Sequence, residues 1–512
     1  MNIKEMIVLV GFALLTTWGI DYFIMSRFRD TEIDQARSGQ TFNAPDKARV
    51  VKPLMREIDF VDTKRVAREV ITEVETEWAD LTFSSEGAAL ERLEFKRKQH
   101  GAADDIITIF PVIEREQKAL LVALDEKTPY YFTLTDKQDG PEAVQLTYEG
   151  SFGDGILRKR FNILKKLHKI DVTIEIEPTN ADRAISARIF YPSPVMPDVA
   201  RDQIAAVVTN VKGALDKIQY DKLNLKEGWW SPAIFGAENR YFVHALIEDD
   251  SNFVERAYFT TTPDKKIISI LEGPEVTAKT SWTVSFYFGP KDTQAMGPVD
   301  ERLEQTLDYS GLLAPLSKLL LKLLNMINEY VKNYGLAIII LTVLMRLFML
   351  PFTLRGERNM RKSGDVQKKM QYLQQKYKND PERLRIEQAE LIKKYGMPQL
   401  TGCLPLLIQF PMFIALNRVL SNSIELYQAP FIGWITDLSV PDPYYILPAL
   451  IGISMFVNAL TMDPKQRSMM MVASLVIGVF SMNFASGLLI YISVSTLLGI
   501  LQSTLQKKMK VA

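Results

Sequence analysis

Arg346 is the residue of this sequence best placed to do chemistry. It stands in Leu341-Thr-Val-Leu-Met-Arg-Leu-Phe-Met-Leu-Pro351, a run otherwise apolar except for Thr342. At about 1.5 Å per residue it lies roughly 18 Å along a helix from Tyr334 and about 12 Å from Leu354. A charge at that depth costs at least a few kcal/mol if it faces lipid. Two readings relieve the cost: the side chain snorkels to the nearer headgroups, or it faces a wet cavity and acts on an anionic partner. Thr342 and Thr353, at i−4 and i+7, share its helical face and favour the cavity. None of the later apolar runs contains an Asp or Glu to neutralise it, and Asp21 is the only acidic residue near hydrocarbon. A proton or ion pump would show intramembrane carboxylates. An arginine without one suits a counter-charge that arrives with a substrate.

Little else in the sequence is reactive. The only cysteine is Cys403, so neither an intrachain disulfide nor a cysteine metal cluster is expected. The three histidines, His100, His168 and His244, are far apart and read as surface or sheet-edge residues. Neither HExxH nor a GxxxxGK[ST] phosphate loop occurs, so no cofactor, metal or nucleotide is expected, and no enzymatic activity. Gln409, Asn417, Ser474, Ser481, Ser493, Ser495, Thr496 and Gln502 could line a groove, although such residues mostly bond across helices or to backbone. Ser474, Gly478 and Ser481 form a small-residue face that fits close helix packing better.

The elements that must position Arg346 emerge from the charge distribution. The 512 residues carry 61 Lys/Arg and 61 Asp/Glu, an average that hides a division near residue 335. Residues 335–512 hold 19 basic and 10 acidic residues, net +9, leaving 42 and 51, net −9, for residues 1–334. The basic part contains apolar runs of about the roughly 20 residues needed to cross a bilayer. Spans are expected at 334–354, 397–422, 444–462, 468–484 and 487–505. The last two are joined by little more than Ala485-Ser486 and so read as a tight helical hairpin. Residues 1–25 read as a sixth, uncleaved N-terminal anchor, with a cleaved signal peptide as the alternative.

Loop charge gives the orientation. Residues 355–395 hold 12 Lys/Arg against 6 Asp/Glu, whereas 421–443 hold Glu425, Asp437 and Asp442 and no Lys or Arg. This predicts cytoplasmic N- and C-termini, with 506–512 a short cytoplasmic tail, and places residues 26–333 outside. Within 423–443 and the start of the next span, Tyr427, Phe431, Trp434, Tyr444 and Tyr445 are expected at headgroup level, making an interfacial loop. Residues 355–396 read as a mobile cytoplasmic helical hairpin. Asn379-Asp380-Pro381 restarts its second helix, with Asp380 as N-cap and Pro381 in the first turn, and Gly396 closes it.

The outside part divides into a tether, 26–79, and a β-sandwich, 80–305. Short alternating runs such as Leu90–Lys96, Tyr130–Leu134, Val144–Tyr148, Ile156–Phe161, Ile170–Glu177 and Ser281–Phe288, separated by turn signals, suit strands with one buried face. Residues 306–333 follow as an amphipathic helix in the interface plane. Lys318, Lys322, Asn325, Glu329 and Lys332 form one narrow polar stripe on it. A seventh span is the competing reading, and two lysines at its middle argue against it.

Four motifs carry a family resemblance: Asn333 to Arg346 with Pro351; Gly402-Cys-Leu-Pro-Leu-Leu-Ile-Gln-Phe-Pro411; Glu425-Leu-Tyr-Gln-Ala-Pro-Phe with Trp434, Asp437-Leu-Ser and Asp442-Pro-Tyr-Tyr-Ile-Leu-Pro448; and Ser486-Gly-Leu-Leu-Ile-Tyr491. Together they resemble the YidC membrane protein insertase family of Gram-negative bacteria. The likeness is specific over about residues 310–508 and looser over the outside domain. It implies an α-helical polytopic inner-membrane protein: a five-helix insertase core, an N-terminal anchor helix and a large periplasmic β-sandwich like those of sugar mutarotases. It also implies a membrane protein insertase and chaperone that receives nascent membrane proteins in a hydrophilic groove and releases their apolar segments into the bilayer, alone or with the Sec translocon. Residues 355–396 would then recruit ribosome or targeting factors. By the same resemblance Arg346, Thr342, Phe410, Phe413 and Ser495 line the substrate groove, with Gln409 and Tyr491 as further lining. Tyr491-Ile492 departs from the paired tyrosines of the family pattern.

Two other classes fit less well. A small-molecule transporter should show paired repeats with broken helices, and a membrane-anchored sugar enzyme should show an acidic and histidine cluster.

Overall fold

The alternation read at residues 170–177 becomes the middle of a large antiparallel sheet. On the strand Lys169–Pro178, Ile170, Val172, Ile174 and Ile176 are buried while Asp171, Thr173, Glu175 and Glu177 face outward. The computed structural model describes residues 53–61, 69–97, 105–111, 115–125, 128–153, 155–179, 184–195, 204–210, 212–307, 313–378, 380–395, 404–460 and 464–508. The expected anchor at 1–25 lies outside the described residues. The chain forms two compact units, one of sheets up to Asp308 and one of helices from Tyr309.

In the sheet unit nine strands are hydrogen-bonded in the order Leu215–Gln219, Ala205–Thr209, Phe235–Glu238, Phe242–Glu248, Thr280–Pro290, Lys169–Pro178, Gly155–Leu164, Ala143–Phe152, Thr133–Asp139. A five-stranded sheet (Trp229–Trp230, Arg256–Thr261, Ile267–Glu272, Ala187–Pro192, Leu121–Leu124) lies against one face. Phe235 stacks on Phe259 at 4.2 Å between centroids, and the Tyr191 hydroxyl donates to the Phe235 carbonyl at 2.7 Å. A four-stranded sheet from Ile71–Glu75 to Asp105–Pro111 packs on the nine-stranded one through Phe83–Phe161 and Phe95–Phe242. The expected sandwich is present. The outer face of the large sheet is ionic: Arg158 reaches Glu149, Glu175 and Glu177, each at 2.7 Å.

Three expectations for this unit need correction. The tether expected over 26–79 is structured in part. Ile71–Glu75 is a strand, and residues 53–61 lie extended on the five-stranded sheet. Ile71–Glu75 hid because its buried face is Thr72 and Val74 while Ile71 is exposed. The strand expected from Tyr130 starts at Thr133. His244 is wholly buried rather than at a surface, its Nδ1 2.9 Å from the Pro192 carbonyl, and the His168 ring sits among Trp78, Phe95 and Tyr287.

The helical unit comprises α1 (Ala314–Val331), α2 (Tyr334–Lys376), α3 (Pro381–Tyr395), α4 (Leu404–Asn422), α5 (Ile446–Leu460), α6 (Pro464–Ser481) and α7 (Ser486–Lys508). Within α2, residues Tyr334–Pro351 are long and apolar enough to cross a membrane. Shorter apolar stretches occupy Ile446–Val457, Met470–Ser481 and Ser486–Gln502. Helix α1 is amphipathic as expected: Leu320, Leu324, Ile327 and Asn328 are buried, while Lys318, Lys322 and Glu329 are exposed. The Asn333 carboxamide starts α2 by accepting from Leu336 N–H at 3.0 Å. Helix α2 runs without a break past Pro351 into the first arm of the expected hairpin. Asp380 then caps α3, accepting from Arg383 N–H at 3.1 Å.

Helix α6 lies along α5, not along α7, which packs instead on α2 and α5. The tight hairpin expected of the last two spans is therefore not a packed pair. Small residues decide this: a Cβ on Gly478 would stand 3.4 Å from the Gly452 Cα, so α5 and α6 touch by their backbones. Ser474 and Ser481 are buried on the same helix, with hydroxyls bonded back to Met471 and Gly478.

Candidate functional site

One end of the helical unit is closed by residues 423–445. Asp442, buried, accepts from Trp434 Nε1 (3.0 Å), Tyr444 N–H (3.0 Å) and Leu447 N–H (2.7 Å), which caps the start of α5. Asp437 accepts from Gln428 N–H and Ser439 N–H. The loop is tied to α7 by Gly487 N–H to the Leu438 carbonyl (2.9 Å) and to the start of α2 by Asn333 Nδ2 to the Phe431 carbonyl (3.2 Å). Gly335 permits that approach, since a Cβ there would fall 2.0 Å from the Phe431 ring. Two of the loop's acidic residues are thus spent on the loop itself and on the start of α5. Of its aromatics Tyr444 and Tyr445 are exposed, whereas Tyr427 is buried.

Twelve residues along α2 from Tyr334, about 18 Å from the closed end, Arg346 meets α7. Its Nε and one terminal nitrogen donate to Ser495 Oγ at 3.1 and 2.8 Å, and that nitrogen also reaches the Ser495 carbonyl at 2.5 Å. Gly499, one turn further along α7, lies against the guanidinium, where a Cβ would make an ordinary contact at 3.4 Å. Among the described residues the partners of Arg346 are neutral, and no carboxylate forms an ion pair with it.

The guanidinium opens on a small, partly open cleft lined by Thr342, Met345, Arg346, Met349, Met412, Tyr491 and Ser495. Four of the residues expected at the groove therefore come together: Arg346, Thr342, Ser495 and Tyr491. The Thr342 hydroxyl is engaged with its own helix, donating to the Ile338 carbonyl at 2.6 Å, so it lends polarity rather than a free donor. Phe413 lies half-buried on α4, next to Met412 but not among the lining residues. The side chains of Gln409, Phe410 and Thr353 lie outside the described residues. Sequence reasoning missed Met345, Met349 and Met412, which look like any apolar residue of a span. Their soft, unbranched side chains suit a surface that adapts to varied partners.

The arrangement suits binding: one cation, hydroxyls and thioethers, beside helices whose outer faces are apolar. Leu344, Leu347 and Phe348 on α2 and Leu497 and Leu501 on α7 are exposed. No group of three or more His, Cys, Asp or Glu that could hold a metal occurs among the described residues.

Residues 326–512 match the family model described as 60Kd inner membrane protein, and residues 71–323 match the YidC periplasmic domain. The membrane protein insertase YidC of Geobacter sulfurreducens is 30% identical over 82% of this chain and 83% of its own length. That of Thioalkalivibrio sulfidiphilus is 38% identical over 56% of this chain and 54% of its own. A crystal structure of an active YidC insertase, with its first transmembrane domain resolved, is 16% identical, covers 87% of this chain and 94% of that one, and has a TM-score of 0.34. The chain belongs to the YidC family of inner-membrane protein insertases, which are not enzymes and whose substrates are nascent membrane proteins.

Proposed function

We propose that the cleft at Arg346 receives the polar, preferentially acidic, end of a nascent membrane protein while the adjoining apolar segment passes into lipid. The observation that carries this is the guanidinium held half-buried by Ser495 with no carboxylate paired to it among the described residues. A client carboxylate would replace neutral acceptors with an anionic one that can take the guanidinium fork bidentately. A polar cleft part-way into the membrane shortens the hydrocarbon path that the client's hydrophilic end must cross. The client's apolar segment supplies the drive, at about 25 cal/mol per Å² transferred. Phe410, Phe413 and Gln409 extend the path along α4 in this reading.

The basic stretch 355–395 and the acidic loop 421–443 support cytoplasmic termini, with the sheet unit on the opposite side. Helix α2 continues from the cleft into the first arm of the 355–396 hairpin, which supports recruitment of ribosome or targeting factors there. Work beside the Sec translocon belongs to the same reading.

The test is insertion of paired clients differing only in tail charge, at matched protein abundance. Arg346→Lys retains most activity, because the charge stays although the fork is lost. Arg346→Ala impairs acidic-tailed clients by about tenfold, on the order of 1.4 kcal/mol, Arg346→Glu impairs them more, and uncharged tails suffer less. Equal loss for both clients contradicts an electrostatic receptor.

A further inference from the structure

Residues 53–61 lie extended across the outer side of the five-stranded sheet, and the way they are held is regular. The carbonyls of Pro53, Met55, Glu57 and Asp59, every second residue, accept bonds from the sheet unit. Arg188 donates to Met55 (2.6 Å) and Glu57 (3.1 Å), Tyr258 Oη to Met55 (2.7 Å), Arg256 to Pro53 (3.5 Å) and Thr128 N–H to Asp59 (2.8 Å). The alternate side chains Leu54, Ile58 and Phe60 sit on an apolar seat that includes Phe190, Tyr258, Ile268 and Ile270. Only Phe60–Val61 joins a ladder, with Thr128–Pro129. What holds the segment is thus its extended main chain, the apolar side chains of Leu54, Ile58 and Phe60, and Arg56 between them, which donates to the carbonyls of Phe259 and Leu225.

Arg188 makes the seat demanding. It is 2% exposed, donates to the main-chain carbonyls of Met55, Glu57 and Leu124, and lies beside the Tyr258 hydroxyl and over the Phe190 ring, 5.5 Å from its centroid. No carboxylate pairs with it among the described residues, whereas its neighbour Arg256 is neutralised by Glu272 at 2.7 Å. Lifting 53–61 away removes two of the three main-chain carbonyls that accept from Arg188 and uncovers the apolar seat. Both costs are met by any extended segment that brings carbonyls and alternating apolar side chains.

We propose that the outer side of the five-stranded sheet is a binding groove for an extended polypeptide segment with mostly apolar residues on its sheet-facing side, occupied in cis by residues 53–61. The partner in trans is an unfolded, strand-forming segment. The groove lies wholly within the sheet unit and does not depend on the role proposed for Arg346.

The test uses the full-length protein in detergent and two fluorescent probe peptides: the chain's own 53–61 sequence and an alternating Val-Thr octapeptide. Wild type, with the groove filled, binds both weakly. The variant Leu54→Asp with Ile58→Asp releases the segment and binds both at least about tenfold more tightly, and adding Arg188→Met removes about tenfold of that gain. The milder pair Leu54→Ala with Ile58→Ala falls between. Tryptophan fluorescence melting reports whether the sheet unit stays folded. Failure of both variants to bind either peptide while folded overturns the proposal. So does unfolding caused by the alanine pair, which would make 53–61 a core piece, and so does binding of the chain's own sequence alone, which would make the groove private to it.

Discussion

The two units bury opposite kinds of surface. In the sheet unit Tyr148, Phe161, Tyr191, Tyr258 and Phe259 are almost wholly hidden, and the outward face of the large sheet carries the Arg158 cluster with Glu149, Glu175 and Glu177. In the helical unit Leu347, Phe348, Ile453, Leu475 and Phe480 face outward, while Arg346, Ser495 and Thr342 lie inward. The hydrophobic effect explains the first pattern, since water surrounds the sandwich. The second needs an apolar solvent outside and a reason for polarity within, which for an insertase is the client's polar end.

Alanine and lysine substitutions give the largest effects and break the comparison if it is wrong. Phe161→Ala should cost the sheet unit about 3–5 kcal/mol, read as a drop in its melting temperature. Leu475→Ala, at a site 71% exposed, should change neither melting nor insertion. Lysine reverses the ranking. Val70→Lys, on the exposed surface of the sheet unit, should be neutral, whereas Leu475→Lys should cost roughly 2.5–3.5 kcal/mol and lower the protein's abundance in membranes. Equal tolerance at the two sites would contradict an apolar solvent around α6.

Acid sharpens the contrast further. Burial holds His244 down to about 3 and His168 to about 4, the Pro192 carbonyl offsetting part of the effect for His244. Both are neutral in the fold and take up protons more readily when unfolded. Stability of the sheet unit is therefore full above about pH 6.5 and falls as pH drops toward 4, levelling off only below the folded values. The loss should reach a few kcal/mol, visible as a lowered melting temperature at pH 4.5 relative to pH 7.5. His244→Gln should reduce that slope.

The smallest effect concerns Ser495. Ser495→Ala removes the neutral hydroxyl that competes for Arg346, a change of about 1 kcal/mol. Acidic-tailed clients should then crosslink to the cleft somewhat better. Weaker capture would make Ser495 a positioning residue for the guanidinium instead.

Much of this was legible in the sequence, and unevenly. Arg346 and Thr342 declare themselves, because a charge in an apolar run and a threonine one turn away need only helical spacing to be related. Ser495 lies 149 residues further on. Its own segment marks it only as one of several mild polar residues that could line a groove, and the family resemblance singled it out. Met345, Met349 and Met412 carry no signal, being ordinary span residues. In the sheet unit the long alternations at 144–148 and 170–177 were plain. Residues 53–61 were not, since Arg56 interrupts the apolar face formed by Leu54, Ile58 and Phe60 and holds its place through the carbonyls of Phe259 and Leu225. The pairing of α6 with α5 was hidden because chain connectivity favoured α7, and only the close approach of Gly452 and Gly478 decides it.

The central claim is that a client's polar end occupies the Arg346 cleft. A photocrosslinker placed at Met412, which lines the cleft, and another at Leu475, which does not, should be compared on ribosome-stalled clients carrying an acidic tail. The account predicts adducts to the tail from Met412, lost with Arg346→Ala, and none to the tail from Leu475. Tail adducts of equal strength from both positions, or Met412 adducts indifferent to Arg346, would contradict it.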